Sequence, residues 1–287
     1  MAFAPNLLIP MQFFKTSALF LAATAALCLT GCKKDQDVAP TGVGTVAIEF
    51  ENVVGGAPLD LGQSKAAYRT AAGDSFRVTK FLYYVSNINF TRSNGEKYAV
   101  PNTYFLVNEA DAGTHSIKLS GIPAADYNSL TFTVGVDSLR NVSGAQTGAL
   151  DPSNAMFWSW NSGYIFLKLE GNFVQPGTRT EGGLVFHIGG FRTPNNTIRT
   201  VTLPMMPSGT LLAVRSDHSP EVHVQADVLK MFDGTAANAV ATPQITFNDR
   251  PTGRRIINTM GGPNSVLVAN NYARAGGMFV VEHVHAN

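Results

Sequence analysis

From Val46 onward the chain alternates short runs of β-branched and aromatic residues with clusters of Gly, Pro, Asn and Asp. The runs TVAIEFENVVGG, FRVTKFLYYVSNINF, YFLVNE, SLTFTVGVD, YIFLKLEGNF and LVFHIGG have strand length, and the clusters between them have turn composition. Helical periodicity is confined to a short stretch near Val228 to Phe232 and another after Val266. The pattern predicts an all-β fold: an antiparallel β-sandwich with long loops and at most short helices. In the run from Phe76 to Tyr84 both parities are apolar, which predicts a central strand covered on both faces. The Asn-Gly pair in RSNGEKY predicts a hairpin back from it. The connection from Asp137 to Ala155 is long, polar and Gly-rich, a composition typical of functional loops.

The first residues follow a different logic. Lys15 to Leu29 is one positive charge followed by a short apolar run, too short for a membrane span and shaped like a secretory signal. Leu29-Thr30-Gly31-Cys32 resembles a bacterial lipobox, which makes Cys32 the lipidated first residue of the mature chain and Met11 the natural start. The expected organisation is a signal peptide over 1–31, a lipidated tether over 32–45 and one domain over 46–287. Localisation follows: lipid-anchored in the cell envelope, with the charged Lys33-Lys34-Asp35-Gln36-Asp37 stretch pointing to the outer membrane. With Cys28 in the signal and Cys32 acylated, the domain has no thiol for a disulfide or a metal. A formal net charge of +1 gives no reason to expect nucleic acid or an anionic membrane face as partner. No phosphate-cradling loop or His-Glu-x-x-His motif is present.

Candidate chemistry rests on histidines, tryptophans and a few carboxylates. If the C-terminal run MFVVEHVH is a strand, His283 and His285 share one face at a spacing that suits a late first-row metal; the alternative is a pair of exposed terminal histidines. His187 precedes a double glycine, where a ligand or another backbone can come close; the alternative is a hydrogen-bonded turn histidine. His223 alternates with Val222 and Val224 and reads as a sheet-surface residue. Trp158 and Trp160 share a face with Met156, as core or as an aromatic platform. An indole nitrogen only donates, so unmodified tryptophan has no lone pair for a metal. Asp137, Asn141 and Asp151 in the long loop suit a calcium site or, alternatively, Asx-turn chemistry, with Glu170 and Asp227 as further carboxylates.

The stretch VGVDSLRNVSGAQTGALDPSNAMFWSWNSGYIFLKLEG, with its Met-x-Trp-x-Trp-x-x-Gly-Tyr element, closely resembles the MbnP-like family, periplasmic or lipid-anchored copper-binding proteins named for the methanobactin operon. The blocks VAIEFENVVGGAPLDLG, FRVTKFLYYVSNINF, FHIGGF, VQADVLKMF and MFVVEHVH extend the likeness over nearly the whole domain. The resemblance implies a non-enzymatic copper-binding lipoprotein, with Cu(I) favoured and calcium as a further cation. It implies that a tryptophan, Trp160 or Trp158, is oxidised to kynurenine by a di-haem partner of the cytochrome c peroxidase type. It also implies that His187, His283 and His285 hold copper directly or support its ligands. The competing reading is a metal-free cell-surface module that uses its aromatic residues as a ligand platform. A hydrolase has only scattered carboxylates behind it.

Overall fold

The computed structural model describes residues 40–62, 67–144, 146–159, 162–174, 181–205, 211–234, 243–251 and 253–285. The predicted signal, Cys32 and Trp160 lie outside the described residues. Along the chain the principal strands are β1 (Val43–Val54), β2 (Ser75–Arg92), β3 (Tyr104–Asn108), β4 (Ser116–Pro123), β5 (Ala125–Val134), β6 (Phe157–Ser159), β7 (Gly163–Val174), β8 (Glu181–Gly189), β9 (Arg199–Pro204), β10 (Glu221–Asp227), β11 (Asn258–Met260) and β12 (Phe279–His285). Among the described residues two α-helices accompany them, α1 (Ser138–Val142) and α2 (Gly262–Ala273). Strand β1 starts three residues before the domain start expected at 46.

The fold is mostly β, as the alternation predicts. A five-stranded sheet runs β12-β10-β1 with β4 on the far side of β1, and an eleven-stranded sheet has the spine β9-β5-β2-β7-β8-β11. The two face each other across one core. Phe50 of β1 meets Tyr83 of β2 and Phe132 of β5 edge-on at 6.0 and 5.7 Å, and Phe279 of β12 meets Phe132 at 5.2 Å. Within these two sheets the ladders of β1 with β10 and β8 with β11 are parallel, so the sheets are mixed rather than purely antiparallel. Neither pair is joined by a hairpin, so no tight turn dictates strand direction.

Strand β2 is the central strand its two apolar parities predict. Phe81 and Tyr83 face the core, while Tyr84 faces outward into a second cluster with Met156, Tyr164, Phe166 and Phe191. The Asn-Gly hairpin forms, with the Arg92 N–H donating to the Glu96 carbonyl at 2.8 Å and Gly95 at φ +88°. The long connection holds α1 and two short 3-10 turns, and it packs over the outer face of the large sheet. The helix expected after Val266 begins at Gly262 and buries Val268, Ala269 and Tyr272 in the core.

One irregularity positions a site. In the antiparallel β10–β12 ladder His223 pairs with His283 but Val224 pairs with Val281, so Glu282 is an extra residue, a β-bulge. Phe279 and Val281 point into the core ahead of it. An unbroken alternation would send His283 and His285 the same way; the extra residue reverses the parity, and both imidazoles emerge on the outer face.

Candidate metal centres

The outer face of the small sheet brings three histidines together. On β10 the inward set Val222, Val224 and Ala226 is fully buried, which leaves Glu221, His223 and Gln225 facing out. His223 and His283 are direct cross-strand partners, stacked with ring centroids 4.3 Å apart, and His285 lies edge-on to both. His283 Nε2 and His285 Nε2 are 3.0 Å apart. One nitrogen from each of His223, His283 and His285 lies within 4.8 Å of the others, a group able to hold a metal ion. His223 Nδ1 bonds Glu51 Oε1 at 2.6 Å from the neighbouring strand β1. An ionised carboxylate only accepts, so Nδ1 carries the proton and Nε2 presents its lone pair. Glu49, Glu221 and His223 form a second, overlapping group.

His187 is not part of this group. It sits on β8 with Phe186 and Ile188 turned into the core, so its ring is on the outer face of the large sheet, across the core from His283 and His285. The three histidines proposed from sequence therefore do not converge on one ion. The HVH pair is joined instead by His223, which sequence reasoning left as a surface residue.

The surroundings of His187 are those of a held, neutral imidazole. Its Nε2 bonds Glu170 Oε1 at 2.9 Å, and Lys80 Nζ holds the other Glu170 oxygen at 2.8 Å. Burial by itself would raise the Glu170 carboxyl, but the Lys80 and His187 bonds together bring it below the usual range. Burial lowers the His187 imidazole below its ordinary value against the pull of Glu170. Ionised Glu170 accepts the hydrogen bond from Nε2–H, so the lone pair is on Nδ1, and Nδ1 is buried without a hydrogen-bond partner.

Two residues along the same face, Gly189 seats the indole of Trp158, whose Nε1 is likewise buried without a partner. A Cβ on Gly189 would lie 2.7 Å from the Trp158 ring. The close approach expected at the double glycine is made by backbone as well as by this indole: a Cβ on Gly189 would lie 2.6 Å from the Tyr164 carbonyl, and one on Gly190 2.4 Å from the Asn195 carbonyl. Met260 of β11 is the parallel-register partner of His187 and is 59% exposed. Trp158, Gly189, Gly190, Met260 and Gly261 line a common cleft of about 490 Å³, with Arg192 at its edge. A histidine lone pair, an indole and a thioether therefore belong to one corner of the large sheet. Neither Met260 nor its pairing with β8 was legible as part of a site in the sequence.

The acidic loop residues are engaged by the protein itself. Asp137 caps α1 through the Arg140 N–H at 3.1 Å and accepts the Tyr104 hydroxyl. Asp151 caps the following 3-10 turn through the Ser153 N–H at 2.8 Å. Buried Asn141 donates to the carbonyls of Val136 and Asp137 and accepts the Tyr164 N–H at 2.9 Å. These are the Asx-turn and capping roles weighed against calcium above.

No curated protein matches the chain. Among solved structures it is similar to MbnP from Methylosinus trichosporium, at 14% identity and a TM-score of 0.49, over 85% of this chain and 99% of that one. The MbnP family model matches residues 43–250, from the first residue of β1 to beyond β10. The match spans most of the chain and includes Trp158, His187 and His223, and on it the protein belongs to the MbnP family.

Proposed function

We propose that the protein is a non-catalytic, lipid-anchored copper-binding protein of the cell envelope, and that its copper centre is the corner formed by Trp158, His187 and Met260. The observation that carries this reading is the pair of buried, unpartnered nitrogens, His187 Nδ1 and Trp158 Nε1, with Trp158 and the register partner of His187, Met260, lining one cleft. A buried polar atom without a partner is costly unless something completes it. The His187 lone pair is already aimed by Glu170, the carboxylate–histidine arrangement that orients metal ligands. Met260 adds a soft thioether, a donor that favours Cu(I).

Trp158 becomes a donor only after its indole is opened. Oxidation by a di-haem partner, with two equivalents of peroxide each reduced to water, cleaves the C2–C3 bond with one oxygen going to each carbon, and hydrolysis with one further water releases C2 as formate. The kynurenine left behind has an aniline nitrogen and a ketone oxygen, which are acceptors. Trp158 takes this role because its ring adjoins the strand of His187. The anchor is Cys32. Among the described residues no helix is long and apolar enough to cross a membrane.

The test is Cu(I) content under reducing conditions and peptide mass over residues 156–171, on protein made with and without the di-haem partner. Bound Cu(I) should appear only in protein whose Trp158 is oxidised, and His187→Ala or Met260→Ala should abolish it while the oxidised peptide persists. Cu(I) retained by His187→Ala would refute the assignment. The metal-free platform reading finds less support, since the indole is partly buried with its nitrogen covered rather than offered as a flat exposed face.

A further inference from the structure

The three-histidine face of the small sheet has no part in that centre, because the core lies between them. We propose that it is a second metal site, for a borderline divalent ion of the zinc class, with His223, His283 and His285 as ligands and Glu51 as the carboxylate that orients His223. It fills without any tryptophan oxidation.

Four observations carry this. The three ligand nitrogens already lie within 4.8 Å of one another, and the 3.0 Å between His283 Nε2 and His285 Nε2 is close to the separation of two imidazoles sharing one ion at about 2.0–2.1 Å. Glu51 fixes the His223 tautomer with the lone pair on Nε2, so this ligand needs no rearrangement. The ligands stand on paired strands rather than on loops, and the bulge at Glu282 is what aims two of them outward. Finally, the charge around them favours a dication. Glu49 and Glu221 adjoin His223, and Glu282 Oε2 is 3.9 Å from His283 Nδ1. Lys118, opposite Ala47 on β4, is the cation facing the same way two strands from His223.

The donor chemistry separates this site from the copper corner. It has imidazole and carboxylate and no sulfur, so it suits zinc, nickel or Cu(II) rather than Cu(I). Three protein ligands on an open sheet surface leave a fourth position for water or an incoming donor. Such a site exchanges its ion readily.

The experiment is zinc titration, by chelator competition and native mass spectrometry, of protein made without the di-haem partner and shown by mass to be unoxidised. The expected result is one zinc per chain. His223→Ala combined with His283→Ala should weaken it about 100-fold or more, and Glu51→Gln about 10- to 100-fold. His187→Ala and Met260→Ala should leave zinc unchanged, which separates failure here from failure of the copper assignment. These histidines lie on a solvent face, and an unchanged melting temperature in each zinc-free variant checks that the fold is intact. Zinc affinity unaffected by the His223/His283 double variant, no zinc uptake by the parent at micromolar concentration, or zinc lost with His187→Ala would each overturn the proposal.

Discussion

The indole of Trp158 occupies the space that a side chain on Gly189 would need. An added Cβ would sit 2.7 Å from the ring and 2.6 Å from the Tyr164 carbonyl, inside the contact distance of both. Gly189→Ala should therefore expel the indole or part β7 from β8, at a cost of about 1–3 kcal/mol. A lower melting temperature with red-shifted tryptophan emission is the expected outcome. Gly183, whose Cβ would meet nothing within 4 Å, is the control, and Gly183→Ala should leave the emission unchanged.

His187 should make stability depend on pH in the metal-free protein. Burial holds its folded pKa below the ordinary value, so the unfolded chain takes up a proton first as the pH falls. The associated stability is fully present above about pH 6.5 and is lost as the pH drops below that toward the folded value. Urea midpoints measured in chelator at pH 7.5 and 5.5 should fall for the parent, and fall less for His187→Gln. An equal drop in both would show that other groups set the dependence.

Asn141 should act as the pin of the long connection. Its side chain is buried and bonds three backbone groups, two on its own turn and the Tyr164 N–H on β7. Asn141→Ala leaves those groups unpaired, about 1–3 kcal/mol. The loss should be local, because the two sheets do not depend on it. Limited proteolysis should open the chain between 137 and 155 well before global unfolding, with Trp158 emission changing alongside.

Asp74 carries the opposite kind of load. Fully buried, it accepts the Phe247 N–H at 2.9 Å, Asn248 Nδ2 at 2.7 Å and Arg250 Nη2 at 2.8 Å, tying the 247–250 segment to the start of β2. Asp74→Ala strands an arginine and two further donors and should cost about 3 kcal/mol. Thermal unfolding should shift by several degrees as one transition, because Phe247 packs in the main core.

The fold was readable where the local pattern carries the information. The double apolar parity of β2, the Asn-Gly hairpin and the alternation in β10 are properties of neighbouring residues, and each appears as read. What joins distant strands was not readable. The parallel register of His187 with Met260 and the cross-strand pairing of His223 with His283 depend on residues 73 and 60 positions apart, and no periodicity encodes them. Hence the HVH pair was legible as one face, while its partner His223 and its separation from His187 were not. The double glycine after His187 did signal a close approach, by the Tyr164 and Asn195 carbonyls, and the indole of Trp158 joins them.

The bulge at Glu282 changes how related chains should be compared. A His-x-His ending is usually scored as a motif, by the identity and spacing of its two letters. Here the same two letters at the same spacing would face the hydrophobic interior if the strand ran through Glu282 in unbroken alternation. The informative character is therefore a register, whether the residue before the first histidine is bulged out of its ladder. A relative that keeps the motif and its spacing but pairs without the bulge carries its terminal histidines to a different address, and should be grouped with chains that have none.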